Sequence, residues 1–125
     1  MTDESVQRWL DSYISAWKTS DPEAIGELFT DDAVYSYRPW ISDRHTVTGR
    51  DAIVASWLKS PDDPAIWEAQ YESYAVEGDK AVAVGWTRYS AEGEQPEKLY
   101  HNAYLLRFDD DGLCAELREF YFLEN

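Results

Sequence analysis

Residues 116–121 read Glu-Leu-Arg-Glu-Phe-Tyr. Side chains of an extended strand alternate between two faces, so Leu117, Glu119 and Tyr121 share one side and Glu116 and Arg118 the other. A carboxylate held among Leu and Tyr loses water, which disfavours its charged form and lifts its pKa toward neutrality. Such a group moves protons near pH 7 as a general acid or base. The competing role is structural, with Glu119 paired to an arginine such as Arg38 or Arg88, or solvated at a rim.

A second cluster lies in the stretch DDAVYSYRPW at 31–40, which brings Tyr35, Tyr37 and Trp40 within six residues. A strand that only fills a core favours Val, Ile and Leu. Three rings so close suggest wide aromatic packing, the wall of a pocket, or a partner surface. The two histidines fit a shared site poorly. His101 is three residues from Tyr104, so the two face opposite ways along a strand. His45 stands in the loop-like stretch SDRHTV, at a pocket mouth or in solvent.

Metal and phosphate chemistry find little support. Asp109-Asp110-Asp111-Gly112 resembles part of a calcium loop, yet aligning Gly112 to the loop glycine puts Arg107 and Arg118 where acids belong. A hairpin turn fits better. There is no zinc-type Cys/His spacing, Gly-rich phosphate loop or Gly-x-Ser-x-Gly motif, and no cofactor is implied. The lone cysteine, Cys114, beside a turn, reads as a small buried residue rather than a nucleophile.

The composition sets the frame for these residues. The 125-residue length argues for one domain spanning 1–125, long enough to bury a core without disulfide staples. Six Trp and nine Tyr supply large rings with polar edges. The net charge of −14 repels phosphate backbones and anionic lipid, which argues against nucleic-acid and membrane partners. One cysteine fits a reducing, cytoplasmic setting. The acidic opening MTDESVQRW lacks the apolar core of a signal peptide, and the longest apolar run, AVAVGW, is too short to span a bilayer.

Several elements must position the candidates. Val6, Trp9, Leu10, Tyr13, Ile14 and Trp17 form one helical stripe over 5–18. Asp21-Pro22 reads as an N-cap and first helical position, opening a short helix PEAIGELF that Gly26 weakens. AVYSYRPW is strand-like and ends at Pro39. Thr48-Gly49-Arg50-Asp51 fits a capping box for a third helix, with Ile53, Val54, Trp57 and Leu58 as its buried stripe. Strands follow, punctuated by Gly78-Asp79, by GEQP and by DDDG. Helices followed by a strand meander predict an α+β domain: a curved antiparallel sheet with three helices on one face.

Five phrases in this order carry a resemblance: Y-I-x-A-W in the first helix, D-P-E-A-I-x-E-L-F-T-D-D-A-V, G-R-D-A-I, L-L-R-F-D-D-D-G and E-L-R-E-F-Y. Together they resemble the SnoaL-like proteins of the nuclear transport factor 2-like superfamily, across nearly the whole chain. The resemblance implies a cone-shaped, cystatin-like sheet with the helices packed on its concave face. It also implies an apolar pocket at the wide end and a homodimer through the opposite face. It is poor for function, because relatives include ketosteroid isomerases, polyketide cyclases, scytalone dehydratase, limonene-epoxide hydrolase and non-catalytic association domains.

Counting from DDA and RFD maps the ketosteroid-isomerase residues onto this chain. The helix tyrosine falls on Tyr13, the base on Tyr37 and the second acid on Tyr104. A phenol with a pKa near 10 does not replace a carboxylate base at neutral pH. The three tyrosines can still donate hydrogen bonds to a carbonyl or phenolic ligand.

Two functions follow. In the first, a pocket of Tyr13, Tyr37, Trp40, Trp57, Tyr104, Glu119 and Tyr121 binds a small apolar or aromatic molecule. Glu119 then moves a proton and Tyr13 steadies an oxyanion, as in isomerisation, dehydration or cyclisation. In the second, the aromatics fill their own pocket and the chain is a dimerisation or partner-binding module. A cavity of roughly 300 Å³ or more separates the two.

Overall fold

A computed structural model describes residues 1–41 and 45–124. The elements run α1 (Asp3–Thr19), α2 (Pro22–Gly26), β1 (Phe29–Tyr37), β2 (Thr46–Thr48), α3 (Arg50–Lys59), β3 (Trp67–Glu77), β4 (Lys80–Tyr89), β5 (Lys98–Phe108) and β6 (Cys114–Leu123). They form three helices and one curved, unclosed six-stranded sheet in the order β2-β1-β6-β5-β4-β3. The meander β3 to β6 is antiparallel throughout. Only β1 departs from the antiparallel expectation, lying parallel to β6. Alternation reports which face a residue takes, not which strand lies beside it.

Helix α1 begins with a reciprocal cap that its sequence TDES encodes. Thr2 accepts from the Ser5 amide at 3.1 Å, and Ser5 accepts from the Thr2 amide at 2.9 Å. Its stripe buries Val6, Trp9, Leu10, Tyr13 and Ala16. The Trp9 indole donates to the Leu28 carbonyl at 3.0 Å, so its buried N–H is satisfied. Helix α2 stops at Gly26, short of the expected Phe29. The Cys114 amide claims the Leu28 carbonyl and draws the chain into the sheet.

The capping box expected at Thr48 does not form. Gly49 is the N-cap of α3, with φ 97°, and no side chain caps it. Arg50 anchors this end instead, donating to the Phe29 carbonyl at 2.8 and 3.0 Å and pairing with Asp31 at 2.6 Å. Of the expected α3 stripe, Ile53 is buried, Val54 and Trp57 are half-buried, and Leu58 is exposed. The expected loop ISDRHTVTG contains strand β2, and its residues 42–44 lie outside the described ones.

The core lies between the helices and the inner face of the sheet. Phe29, Phe108, Leu10, Ile25, Ile53 and Leu117 are its largest fully buried side chains. Trp9 packs edge-on against Phe29 and Phe108. Gly85 on β4 has a steric reason. A Cβ there would lie 1.9 Å from the Gln70 carbonyl and 2.8 Å from Tyr71 Cα, so only glycine lets β3 fold in and bury Tyr71.

Candidate functional site

The inner face of the sheet is a grid in which sequence alternation and register act together. Tyr104 on β5 stands opposite Glu119 on β6; Asn102 opposite Tyr121; Thr87 on β4 opposite Tyr100. Tyr13 reaches down from α1, with its ring 5.9 Å from Tyr104 and 5.2 Å from Trp57 of α3. Between helices and grid lies a cavity of about 370 Å³. Glu119, Tyr13, Trp57 and Tyr121 line it, together with Tyr35, Trp17, Tyr89, Tyr100, Thr87, Asn102 and Asp62. A second hollow of about 220 Å³ shares Tyr35, Trp57, Glu119 and Tyr121 and adds Tyr37.

Glu119 is the chemical centre of this space. Tyr104 donates to its Oε1 at 3.3 Å and Tyr35 to its Oε2 at 3.4 Å. With the Tyr35 proton committed to Glu119, Tyr13 donates to Tyr35, 3.1 Å away. The arginine partners considered for Glu119 are occupied elsewhere: Arg88 pairs with Glu68 and Glu97, and Arg38 donates to the Tyr121 hydroxyl at 2.6 Å. Burial pushes the Glu119 carboxyl up to about 7, while the hydrogen bonds from Tyr104 and Tyr35 pull the other way. The phenols of Tyr13, Tyr35 and Tyr104 are driven above their ordinary range, first by burial and then by the Glu119 charge. They remain protonated donors at neutral pH.

A second relay fixes Asn102. The Tyr71 hydroxyl donates to Thr87 Oγ1, and Thr87 donates to Asn102 Oδ1 at 3.0 Å. The amide oxygen is therefore held, and its Nδ2 hydrogens carry no partner among the described residues. Asn102 is only 9 % exposed and lines the cavity two residues from Tyr104 on the same face. Nothing in the local sequence marks Asn102 or Thr87. They become visible only when the register is known.

The other expected residues divide. Tyr104 is 2 % exposed and lies beneath the cavity, touching it through Glu119. Tyr37 lines only the smaller hollow, and its ring stands 5.1 Å from His45. Trp40 is not in the pocket. Arg38 takes a left-handed φ of 62° before Pro39, and this turn carries Trp40 to the outer face, where it stacks on Phe120 at 5.8 Å and is 54 % exposed. His101 is also on that face, 2.9 Å from Glu124 and stacked on Phe122. Tyr35, the first of the three clustered rings, lines both hollows, on the face that alternation shares with Tyr37. Cys114 is buried with its thiol pushed up to about 12 by burial, so thiolate chemistry is not available to it near neutrality.

Comparison with known proteins gives the architecture a family. A model of the SnoaL-like domain matches residues 6–117. The chain belongs to the SnoaL-like family. Among solved structures, a nuclear transport factor 2-like protein of Burkholderia xenovorans is similar at 19 % identity and a TM-score of 0.68, covering 94 % of this chain and 83 % of that one. A Methylobium petroleophilum protein with a cystatin-like fold shows 16 % identity and a TM-score of 0.74, covering 100 % and 80 %. A Catenulispora acidiphila protein with a ketosteroid isomerase-like fold, in complex with trimethylamine, shows 21 % identity and a TM-score of 0.67, covering 90 % and 84 %. Identities this low speak for the fold alone. No curated protein matches the chain. Among the described residues no helix of this SnoaL-like chain is long and apolar enough to cross a membrane.

Proposed function

We propose that this SnoaL-like chain is a cofactor-independent acid–base catalyst that moves a proton on a small molecule held in the 370 Å³ cavity. The observation that carries the reading is the state of Glu119. A carboxyl facing a cavity, free of cationic partners among the described residues and titrating at about 7, is divided between acid and base at neutral pH.

The geometry supports one sequence of events. Glu119 as carboxylate takes a proton from a carbon beside a substrate carbonyl. The electron pair left on carbon moves to the carbonyl oxygen. The Asn102 Nδ2 hydrogens, held toward the cavity by the Tyr71–Thr87 relay, stabilise the oxyanion. Glu119 then returns the proton to another carbon, which is isomerisation, or to a departing hydroxyl, which is dehydration. Tyr13 acts on Glu119 through Tyr35, steadying the carboxylate rather than the oxyanion.

Proton abstraction is read without knowing the product. In heavy water, the protein should exchange hydrogen for deuterium beside the carbonyl of some members of a panel of small ketones and aldehydes. Glu119→Gln should abolish that exchange while leaving ligand binding intact. A Glu119 carboxyl titrating near 4.5 by carbon-detected NMR would sink the reading.

A homodimer through the outer sheet face is part of the same proposal. Trp40, Phe120 and Phe122 crowd there, and Phe122 is 66 % exposed. A second copy of the chain is the expected occupant, and sedimentation at micromolar concentration checks it.

A further inference from the structure

The cavity has two ends, and only one of them is used above. The far end is built by the loop after α3, where Asp62 Oδ2 accepts from the Trp17 indole at 3.1 Å and from the Tyr89 hydroxyl at 3.2 Å. Both donors use the same oxygen. Oδ1 carries no partner among the described residues, and Asp62 is half-buried with its carboxylate on the cavity. Around it stand the rings of Trp17, Tyr89 and Tyr100, with Tyr89 and Tyr100 edge to face at 5.8 Å.

The lining as a whole has one sign. Seven of its sixteen residues are aromatic, two are carboxylates, and none of the described lining residues is Lys, Arg or His. The cations nearby are committed outside the space. Lys18 bonds the Pro64 and Trp67 carbonyls and lies over the Trp67 ring, and Arg38 lies over Tyr121 from the rim. An anionic substrate would meet two carboxylates with no counter-charge. A neutral apolar one would cover the free Asp62 Oδ1 and offer it neither a hydrogen bond nor an opposite charge. A positively charged group satisfies both features, because ring faces attract cations and Asp62 supplies the opposite charge.

We infer that the Asp62 end of the cavity binds an organic ammonium group, so that the substrate is an amine whose reactive carbon lies toward Glu119. This rests on the reading of the cavity as a small-molecule site. It adds a specificity residue, Asp62, and an aromatic cage of Trp17, Tyr89 and Tyr100. A cage of this kind needs no hydrogen bond from the ligand, so a quaternary ammonium fits as well as a protonated amine.

The test is a matched pair: choline and its uncharged isostere dimethylbutanol, in which carbon replaces nitrogen. Each is titrated against the intrinsic tryptophan fluorescence of the intact protein. Choline should bind roughly tenfold more tightly than the isostere. Asp62→Asn should remove that preference by weakening choline while the isostere still binds, which also reports an intact cavity. Asp110→Asn, an exposed charge in the β5–β6 turn, should leave the preference in place and so controls for the overall negative field. Equal affinity for the pair, equal loss in both variants, or no binding of choline overturns the inference. The deuterium-exchange assay and the titration of Glu119 are independent of it. A cavity that exchanges protons but ignores charge removes the ammonium site alone, and one that selects choline with Glu119 titrating near 4.5 removes the proton-transfer reading alone.

Discussion

The two carboxylates of the cavity share a functional group and differ in almost everything around it. Glu119 belongs to a central strand, is packed beneath α1 and α3, and among the described residues receives side-chain hydrogen bonds only from phenols. Asp62 belongs to the loop after α3, is half-buried, and receives an indole N–H and a phenol. Burial moves the first to about 7, where it exchanges protons. The second lines the same cavity with its Oδ1 carrying no partner among the described residues, placed to pair with a cationic group. The environment, not the residue type, separates a proton carrier from a counter-ion.

The strongest way to break this contrast is to remove one carboxylate at a time. Glu119→Gln should lower proton exchange by about 10²–10⁴-fold, the range for loss of a general acid–base group, while Asp62→Asn leaves exchange on uncharged ketones nearly unchanged. Parallel rates of deuterium incorporation decide it. Next in size is the oxyanion donor. Asn102→Leu should cost about 10²–10³ in rate and lower the melting temperature because the buried Thr87 hydroxyl loses its acceptor, and a KM effect without a kcat effect would make Asn102 a binding residue instead.

A thermodynamic effect follows from the same contrast. The raised pKa of Glu119 means that the folded protein holds a proton the unfolded chain releases, so its stabilising contribution is present below pH 4.5 and is lost as pH rises through about 7. The melting temperature of Glu119→Gln, relative to the parent, should therefore climb between pH 4.5 and 7 and then level. A flat difference would show that Glu119 is not desolvated.

The smallest effect sharpens the comparison. Tyr35→Phe removes a hydrogen bond that holds the Glu119 charge, so the Glu119 pKa should move further up. Tyr89→Phe, which strips a donor from Asp62, should leave Glu119 where it is. NMR titration of the Glu119 side-chain carbon in both variants measures this.

Much of this was legible before the fold was known. The stripe of α1, the meander and its turns, and the shared face of Leu117, Glu119 and Tyr121 all follow from periods of 3.6 and 2. The phrases that resemble the SnoaL-like family carried the architecture. Failures came where a local signal met a tertiary demand. Thr48 has the spacing of a cap, yet Arg50 anchors α3 through the Phe29 carbonyl instead. Trp40 is close to Tyr35 and Tyr37 along the chain, yet it stands three residues past Tyr37 and beyond the Arg38 turn, on the opposite face.

The sequence by itself determined the principal helices and strands, the side of the strand that Glu119 takes, and the density of aromatic rings available to surround it, because those depend on neighbours along the chain. Only the tertiary structure decided that Tyr35 is bonded to Glu119, that the Tyr71–Thr87 relay orients Asn102, and that Asp62 faces the same cavity across from Glu119. Those contacts join residues up to 84 positions apart, through a parallel β1–β6 pairing and a loop closing over the sheet. Periodicity carries no information about which strand or loop will lie across the gap.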